Sequence, residues 1–455
     1  LKSPSRNRRN DIMNQNVNTR NIILDALIEI NEKDRFTHIV LPEVLKKYQY
    51  LDNIDRSFIS RTILGTVERK ITLDYIINLF SKTPVNKMKP VIRNILRMST
   101  YQLIYMEGVK DFAVCNEAVR LSVKKGFTAL KGFVNGVLRT IAREKNKIEM
   151  PQELWLKYST PGWIVDKWLK EYGKENTEAI LKAQYSKRPL TVRCNFNHCT
   201  REELVKRLTA ENVRAKVIEE PDCALEIEGF DYLNKLNTFA NGDFFVQDLS
   251  SMMVCYAINP EKDSYVIDLC AAPGGKSLHI AEFMDNTGFV EARDVSDNKV
   301  MMINENIDRL NLCNIKAVVK DATVKWEDSV EKADVVIADL PCSGLGILNK
   351  KPDIKYHASE EKCHELSELQ KKILDNSKEY VKHGGKFCFS TCTLNYEENM
   401  GNVEHILSYG DYVLVDFEDR VPDNMKKYYK KGILEIIPDE NNNFDGFFIA
   451  LFRRK

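Results

Sequence analysis

Residues 264–276 read SYVIDLCAAPGGK, an apolar stretch that ends on Asp268 and runs into a Pro-Gly-Gly turn, after which KSLHIAEFM has the pattern of a helix. An apolar strand, a glycine turn and a helix in that order predict the first unit of an open α/β sheet, in which ligands bind outside the carboxyl ends of the strands. Glycines there let the backbone approach a ligand closely, and the helix N-terminus presents free amides to it. Such a turn serves a dinucleotide as readily as another nucleoside. It is not GxGxxG, however, and GGKS lacks the upstream glycine and spacing of a phosphate-binding loop, so an oxidoreductase reading fails on the turn and phosphate cradling is not indicated.

Outward from this turn, SYVIDLC, GFVEARDV, IKAVVKDA, ADVVIADL, GGKFCFST, YVLVDF and GFFIALF alternate with helical patterns over residues 236–455. This predicts a doubly wound, Rossmann-like sheet. Asp294 at the end of the second strand is placed to accept ribose hydroxyls, and Asp321 after the third to meet an adenine amino group. Any one such Asp is more often a helix cap or a turn residue, but three on successive strand ends favour a ligand. Upstream, PLTVRCNF, a helix from Thr200 to Asn212, RAKVIEE and CALEIEG predict a small α+β module of the RNA-recognition type, without the aromatic signature of that class. Residues 13 to about 145 carry apolar side chains at three- and four-residue spacing, as in NTRNIILDALIEI and VIRNILRMSTYQLIYM, with Pro84 and Pro90 as breakers, and predict an all-helical domain. The division expected is a basic tail (1–13), a helical domain (14–147), linker helices with the small module (148–235) and the α/β domain (236–455).

The net charge of +1 conceals an asymmetry. Residues 1–145 hold 26 Lys and Arg against 14 Asp and Glu, an excess of twelve positive charges, which leaves the remainder at −11. A basic domain on an otherwise acidic chain is the footprint of a polyanion such as nucleic acid, or else a solvated lysine-rich surface. No segment has the apolar length of a membrane span, and LKSPSRNRRNDIMNQ lacks the apolar core of a secretory signal, so a cytoplasmic protein is expected. The eleven cysteines form no CxxC pair and have no histidine at zinc-site spacing, so reduced thiols and no metal are expected.

Three motifs now carry a resemblance. DLCAAPGGK, ADLPCSGLG and STCTL, in this order, with FVQDLSS before them and FDGFFIALFRRK at the end, resemble the signature of the Sun-related RNA 5-methylcytosine methyltransferases across residues 155–455. The helical segment resembles the NusB-like domain over about residues 14–145, in DRSFISRTILGTVERK, in Asn116-Glu117-Ala118-Val119 and in Phe133-Val134-Asn135-Gly136-Val137-Leu138-Arg139. The resemblance implies a class I methyltransferase fold binding S-adenosylmethionine through Cys270, Ala271, Ala272, Pro273, Gly274, Gly275, Lys276, Asp294, Asp321 and Asp339. It also implies RNA as the partner, with small-subunit (16S) ribosomal RNA the expected substrate and a monomer the expected state. One departure is Leu340, where the family often has Ala.

Carbon-5 of cytosine is too poor a nucleophile to take a methyl group unaided. A thiolate must first add at carbon-6, after which loss of the carbon-5 proton and expulsion of the thiolate restore the ring. Cys342 (DLPC) and Cys392 (STCT) each follow a predicted central strand, whereas a cysteine elsewhere is usually a small buried hydrophobe. The resemblance implies Cys392 as the nucleophile, Cys342 as the group that assists release of the product, and Asp339 as the residue that bonds the N3 and amino edge of the base. The competing expectation is a non-enzymatic RNA-binding factor on a degenerate methyltransferase fold. Intact Asp339, Pro341, Cys342 and Cys392 argue against it.

Overall fold

The computed structural model describes residues 18–455; the basic tail expected at residues 1–13 lies outside them. The chain divides into two packed units, one holding the chain up to Leu169 together with Leu348–His357, the other Lys170–Ile347 and Ala358–Lys455.

The first unit is helical, as the three- and four-residue spacing predicts. Its longer helices are Thr19–Glu32, Thr37–Lys47, Asn53–Glu68, Lys70–Phe80, Pro90–Tyr105, Asp111–Lys124 and Lys131–Glu144. Their boundaries follow local chemistry. The side chains of Asn18 and Asp52 cap their helices by accepting the N–H of Asn21 and Asp55. Pro90 opens a helix at its first position, where its missing N–H costs nothing. The apolar stripes meet in one core containing Ile23, Leu27, Ile59, Ile63, Ile95, Leu96, Val134 and Leu138, all buried. Ten residues from far along the chain complete this unit. Asp353 Oδ2 accepts the Thr37 N–H at 2.6 Å, Lys355 Nζ donates to the Glu68 carbonyl at 3.0 Å, and the Tyr356 hydroxyl sits 3.1 Å from Ser159 Oγ.

The second unit holds two sheets. The smaller comprises β1 (Leu190–Cys194), β2 (Arg214–Val217), β3 (Ala224–Glu228) and β4 (Phe244–Val246) in the order β2-β3-β1-β4, antiparallel throughout. The helix foreseen from Thr200 appears as Arg201–Ala210, begun by a capping box between Thr200 and Glu203. Strand β4, which the sequence pattern does not reveal, pairs Val246 with Val192.

The larger sheet contains β5 (Tyr265–Asp268), β6 (Phe289–Asp294), β7 (Ile315–Val319), β8 (Ala333–Asp339), β9 (Val381–Thr391), β10 (Tyr412–Leu414), β11 (Tyr429–Lys430), β12 (Ile433–Ile436) and β13 (Phe447–Arg454). Its order is β11-β12-β13-β9-β8-β5-β6-β7, with β10 beside β13. The five strands β9, β8, β5, β6 and β7 run parallel, and β13 joins β9 antiparallel. All seven strands expected from the sequence are present. The central ones are nearly unbroken apolar runs, VVIA in β8 for example, because helices cover both faces of a parallel sheet. Adjacent β5 and β8 bring the ends of Asp268 and Asp339 to one edge, where the sequence pattern places a ligand.

Candidate active site

The turn after β5 is shaped by Gly274, whose φ is +107°. A Cβ there would lie 2.9 Å from Leu278 Cδ1, so both the backbone angle and the space call for glycine. Asp294, at the end of β6, braces this turn: its Oδ2 accepts the Ala272 N–H at 2.9 Å, while Oδ1 accepts the Val295 N–H at 2.7 Å and meets Lys299 Nζ at 3.0 Å. Asp321 caps its own turn by accepting the Thr323 N–H at 2.8 Å.

Beyond the turn lies a cavity of about 240 Å3, walled by Cys270 to Pro273, Gly275, Lys276, Asp339 and Cys392 among the residues expected from the sequence. Asp294, Asp321 and Cys342 are not on this wall. Asp268, the first of the three strand-end Asp residues, is on it, and so are Phe245, Gln247 and Phe447, to which the sequence assigns no role. Asp268 is buried at the end of β5, and its Oδ2 accepts a hydrogen bond from Ser277 Oγ at 2.5 Å. Burial pushes its carboxyl up to about 7, and its Oδ1 has no well-formed hydrogen bond. A buried acceptor without a partner, beside a glycine turn and a helix N-terminus, suits a ligand that brings its own donors.

Asp339 ends β8 and receives two hydrogen bonds, from Lys276 Nζ at 2.6 Å and Ser390 Oγ at 2.8 Å. Burial works against the Lys276 charge, but Asp339, with Asp268 and Cys392, offsets it, and the Lys276 pKa stands above its ordinary value. The ammonium also lies 5.2 Å from the centre of the Phe447 ring. The pair thereby presents its hydrogen-bonded side chains to the cavity.

Cys342 and Cys392 come together with their sulfurs 3.4 Å apart. Cys392 is on the cavity wall, and Cys342, half-buried like it, is its neighbour off the wall. The contact with Cys392 and then burial hold the Cys342 thiol well above its ordinary range. Burial likewise pushes up the thiol of Cys270, the other cysteine on the wall, which disfavours its thiolate.

Two loops carry these cysteines, and a buried carboxylate unforeseen in the sequence joins them. Glu398 accepts the Ser343 N–H at 2.8 Å, Ser343 Oγ at 2.5 Å, Asn395 Nδ2 at 2.7 Å and Gln370 Nε2 at 3.1 Å. Gln370 Nε2 also donates to the Pro341 carbonyl at 2.8 Å, and Ser343 Oγ lies 2.7 Å from Thr393 Oγ1. Gly346 closes the arrangement. Its N–H donates to the Cys392 carbonyl at 3.1 Å and its carbonyl accepts from Gly446 N–H at 2.8 Å. A Cβ on Gly346 would stand 2.2 Å from the Gly446 oxygen. The only trace of this network in the sequence is the polar run NYEEN after Cys392. Among the described residues, no group of three or more His, Cys, Asp or Glu is arranged to hold a metal ion, and no helix is long and apolar enough to cross a membrane.

Comparison with known proteins accords with this geometry. The model of the 16S rRNA methyltransferase RsmB/F family matches residues 255–453, that of the NusB family residues 17–143, and that of an RsmF/B-like ferredoxin-like domain residues 160–231. The chain is 36% identical over 446 residues to the probable ribosomal RNA small subunit methyltransferase B of Bacillus subtilis, covering 96% of this chain and 98% of that one. The corresponding protein of Synechocystis is 32% identical over 447 residues, covering 96% and 100%. In fold, the chain is similar to the crystal structure of PH0851, with a TM-score of 0.80 at 23% identity over 96% of this chain and 99% of that one. It is also similar to NSun6 from Pyrococcus horikoshii, solved with SFG, with a TM-score of 0.57 at 22% identity over 65% and 98%. Such agreement over nearly its whole length, with the helical, ferredoxin-like and catalytic parts in one order, means that the chain belongs to the ribosomal RNA small subunit methyltransferase B family, enzymes dependent on S-adenosylmethionine.

Proposed function

We propose that this protein methylates carbon-5 of a cytosine in 16S ribosomal RNA, with Cys392 as the nucleophile. The observation that carries the proposal is the placement of Cys392 on the cavity wall, in company with Asp339 and Lys276 and with the Cys342 sulfur 3.4 Å from its own. Cys270 to Lys276, with Asp294, Asp321 and Asp339, would hold S-adenosylmethionine, and the glycine turn and the unpartnered Asp268 oxygen fit such a ligand. When bound, it supplies an electrophilic methyl group.

The chain's own residues do the rest. Asp339, fixed by Lys276 and Ser390, accepts from the amino edge of the cytosine and sets the ring's orientation. Cys392 thiolate adds to carbon-6, placing electron density on carbon-5, where the methyl group is taken. Transfer of the carbon-5 proton to a solvent water then restores the ring as the carbon-6–sulfur bond breaks and its electron pair returns to Cys392. The Cys342 thiol, with its sulfur 3.4 Å away, can donate to the departing thiolate and so assist release.

The same reading keeps the division at 1–13, 14–147, 148–235 and 236–455, with the basic helical domain contacting RNA, and takes the enzyme as a cytoplasmic monomer without a metal. Incubation with S-adenosylmethionine and 16S RNA lacking the modification, followed by bisulfite mapping, tests it. One protected cytosine is expected; methyl transfer to another base or to another atom of cytosine overturns it.

A further inference from the structure

We infer that Arg193, on β1 of the small sheet, is a positioning residue for the cofactor site, which gives the ferredoxin-like module a part in shaping the catalytic pocket. This rests on the cavity being where the cofactor binds.

Arg193 is 1% exposed, and a guanidinium that deep is tolerated only when its donors are satisfied. Two of its partners, Glu282 and Gly275, belong to the neighbouring fold, and Gln247 directly follows β4 of its own sheet. Nε and Nη2 fork onto the Glu282 carboxylate at 3.0 and 2.7 Å, and Nη1 donates to the Gly275 carbonyl at 3.1 Å and to Gln247 Oε1. Gly275 and Glu282 are in the helix Gly275–Phe283 that follows the glycine turn, seven residues apart and therefore on one face. The guanidinium also lies 5.4 Å from the centre of the Phe245 ring.

Three of these four neighbours, Phe245, Gln247 and Gly275, wall the cavity. A buried ion pair alone would need only Glu282, and an apolar pair of the same size would serve stability as well. What the planar fork adds is direction. One face of it locks the helix through Glu282, while Nη1 fixes the Gly275 carbonyl and turns the Gln247 amide, whose Nε2 then donates to Ser251 Oγ at 3.5 Å. Lysine, a single point donor on a flexible stem, satisfies Glu282 but not the remaining contacts as well.

The test measures S-adenosylhomocysteine binding by calorimetry and steady-state methyl transfer on the full chain. Native protein must bind; if it does not, the cofactor reading of the cavity fails, and not merely this inference. Arg193→Lys should keep its melting temperature within a few degrees, yet bind S-adenosylhomocysteine about ten- to a hundredfold more weakly. KM for S-adenosylmethionine should rise with it while kcat at saturation holds. Glu282→Gln, which keeps Arg193 on Gly275 and Gln247, should melt lower yet bind within about threefold of native, allowing for roughly half a kcal/mol of indirect loss. Affinity unchanged in Arg193→Lys, or falling in step with stability in both variants, overturns the proposal. If Arg193→Lys does not fold, the double variant Arg193→Met with Glu282→Met is read the same way, and its failure to fold also counts against a positioning role.

Discussion

At the scale of single residues, the two active-site cysteines differ in what faces them. Cys392 lines the cavity, whereas Cys342 is off its wall, in contact with Cys392 and next to Ser343 of the Glu398 network. Opposite phenotypes follow. Cys392→Ala has no sulfur to reach carbon-6 and should form no covalent link with RNA. Cys342→Ala should still add and methylate but release slowly, accumulating a protein–RNA adduct that runs as a retarded band on denaturing gels with labelled RNA. A band from Cys392→Ala and none from Cys342→Ala reverses the roles. Asp294 is a second such residue: its carboxylate holds the Ala272 N–H and accepts Lys299, so Asp294→Ala should weaken S-adenosylmethionine binding by about 1.5–3 kcal/mol, the worth of hydrogen bonds to a charged group. Calorimetry decides it, an unchanged Kd leaving Asp294 without a part in the cofactor site.

At the scale of elements, three loops converge through Gly346, and each comes from a different strand end. The N–H and carbonyl of Gly346 join the loop after β9 to the segment before β13. Gly346→Ala must push these loops apart, because the added carbon would stand 2.2 Å from the Gly446 oxygen. The cysteine pair loses its spacing while the glycine turn after β5 is untouched. Methyl transfer should therefore fall by about a hundredfold, the scale of an ångström-sized misplacement, with cofactor affinity near native. Loss of both together would place the damage in folding.

At the scale of the whole molecule, the helical unit owes part of its interior to residues 348–357. Excising residues 1–145 would strip Asp353 and Lys355 of the groups they bond, Thr37 and Glu68, so a role in RNA affinity is better tested by surface substitution in the full chain. Lys82, Lys87 and Lys89 are exposed around one short turn. Changing the three to Gln should weaken RNA binding and flatten the slope of log K against log salt by about two to three, if each neutralises one phosphate. An unchanged slope assigns this face to scaffolding. The same unit carries a pH signature. Burial lowers Lys355 from 10.5 to about 7 and Lys70 from 10.5 to about 8, Lys355 being raised again by Glu68 and lowered by Arg69 and Lys70. A lysine depressed in the folded state binds fewer protons than in the unfolded chain between the two pKa values. Stability therefore climbs as pH rises from about 7 toward 10.5 and is least at and below 7. Lys355→Met should remove up to one proton's share of that slope, about 1.4 kcal/mol per pH unit, in urea unfolding between pH 7.5 and 9.5. Equal slopes in the two proteins would mean that Lys355 stays protonated in the fold.

Features written within about ten residues are legible in the sequence by itself. The glycine turn on Gly274, the helix caps and the apolar strands ending in Asp268 and Asp339 depend on local backbone angles and periodicity, and the two cysteines stand in short motifs that follow those strands. The relation between Cys342 and Cys392 is legible as roles but not as a distance, since fifty residues separate them and only the parallel pairing of β8 with β9 aligns their strand ends. Glu398, Arg193 with Glu282, the addition of β4 to the small sheet and the seating of residues 348–357 among distant helices leave no local trace and are decided by the tertiary structure. Each is a polar or backbone contact between segments far apart in the chain. Its worth comes from being buried and mutually satisfied, and burial is a property that no window of sequence contains.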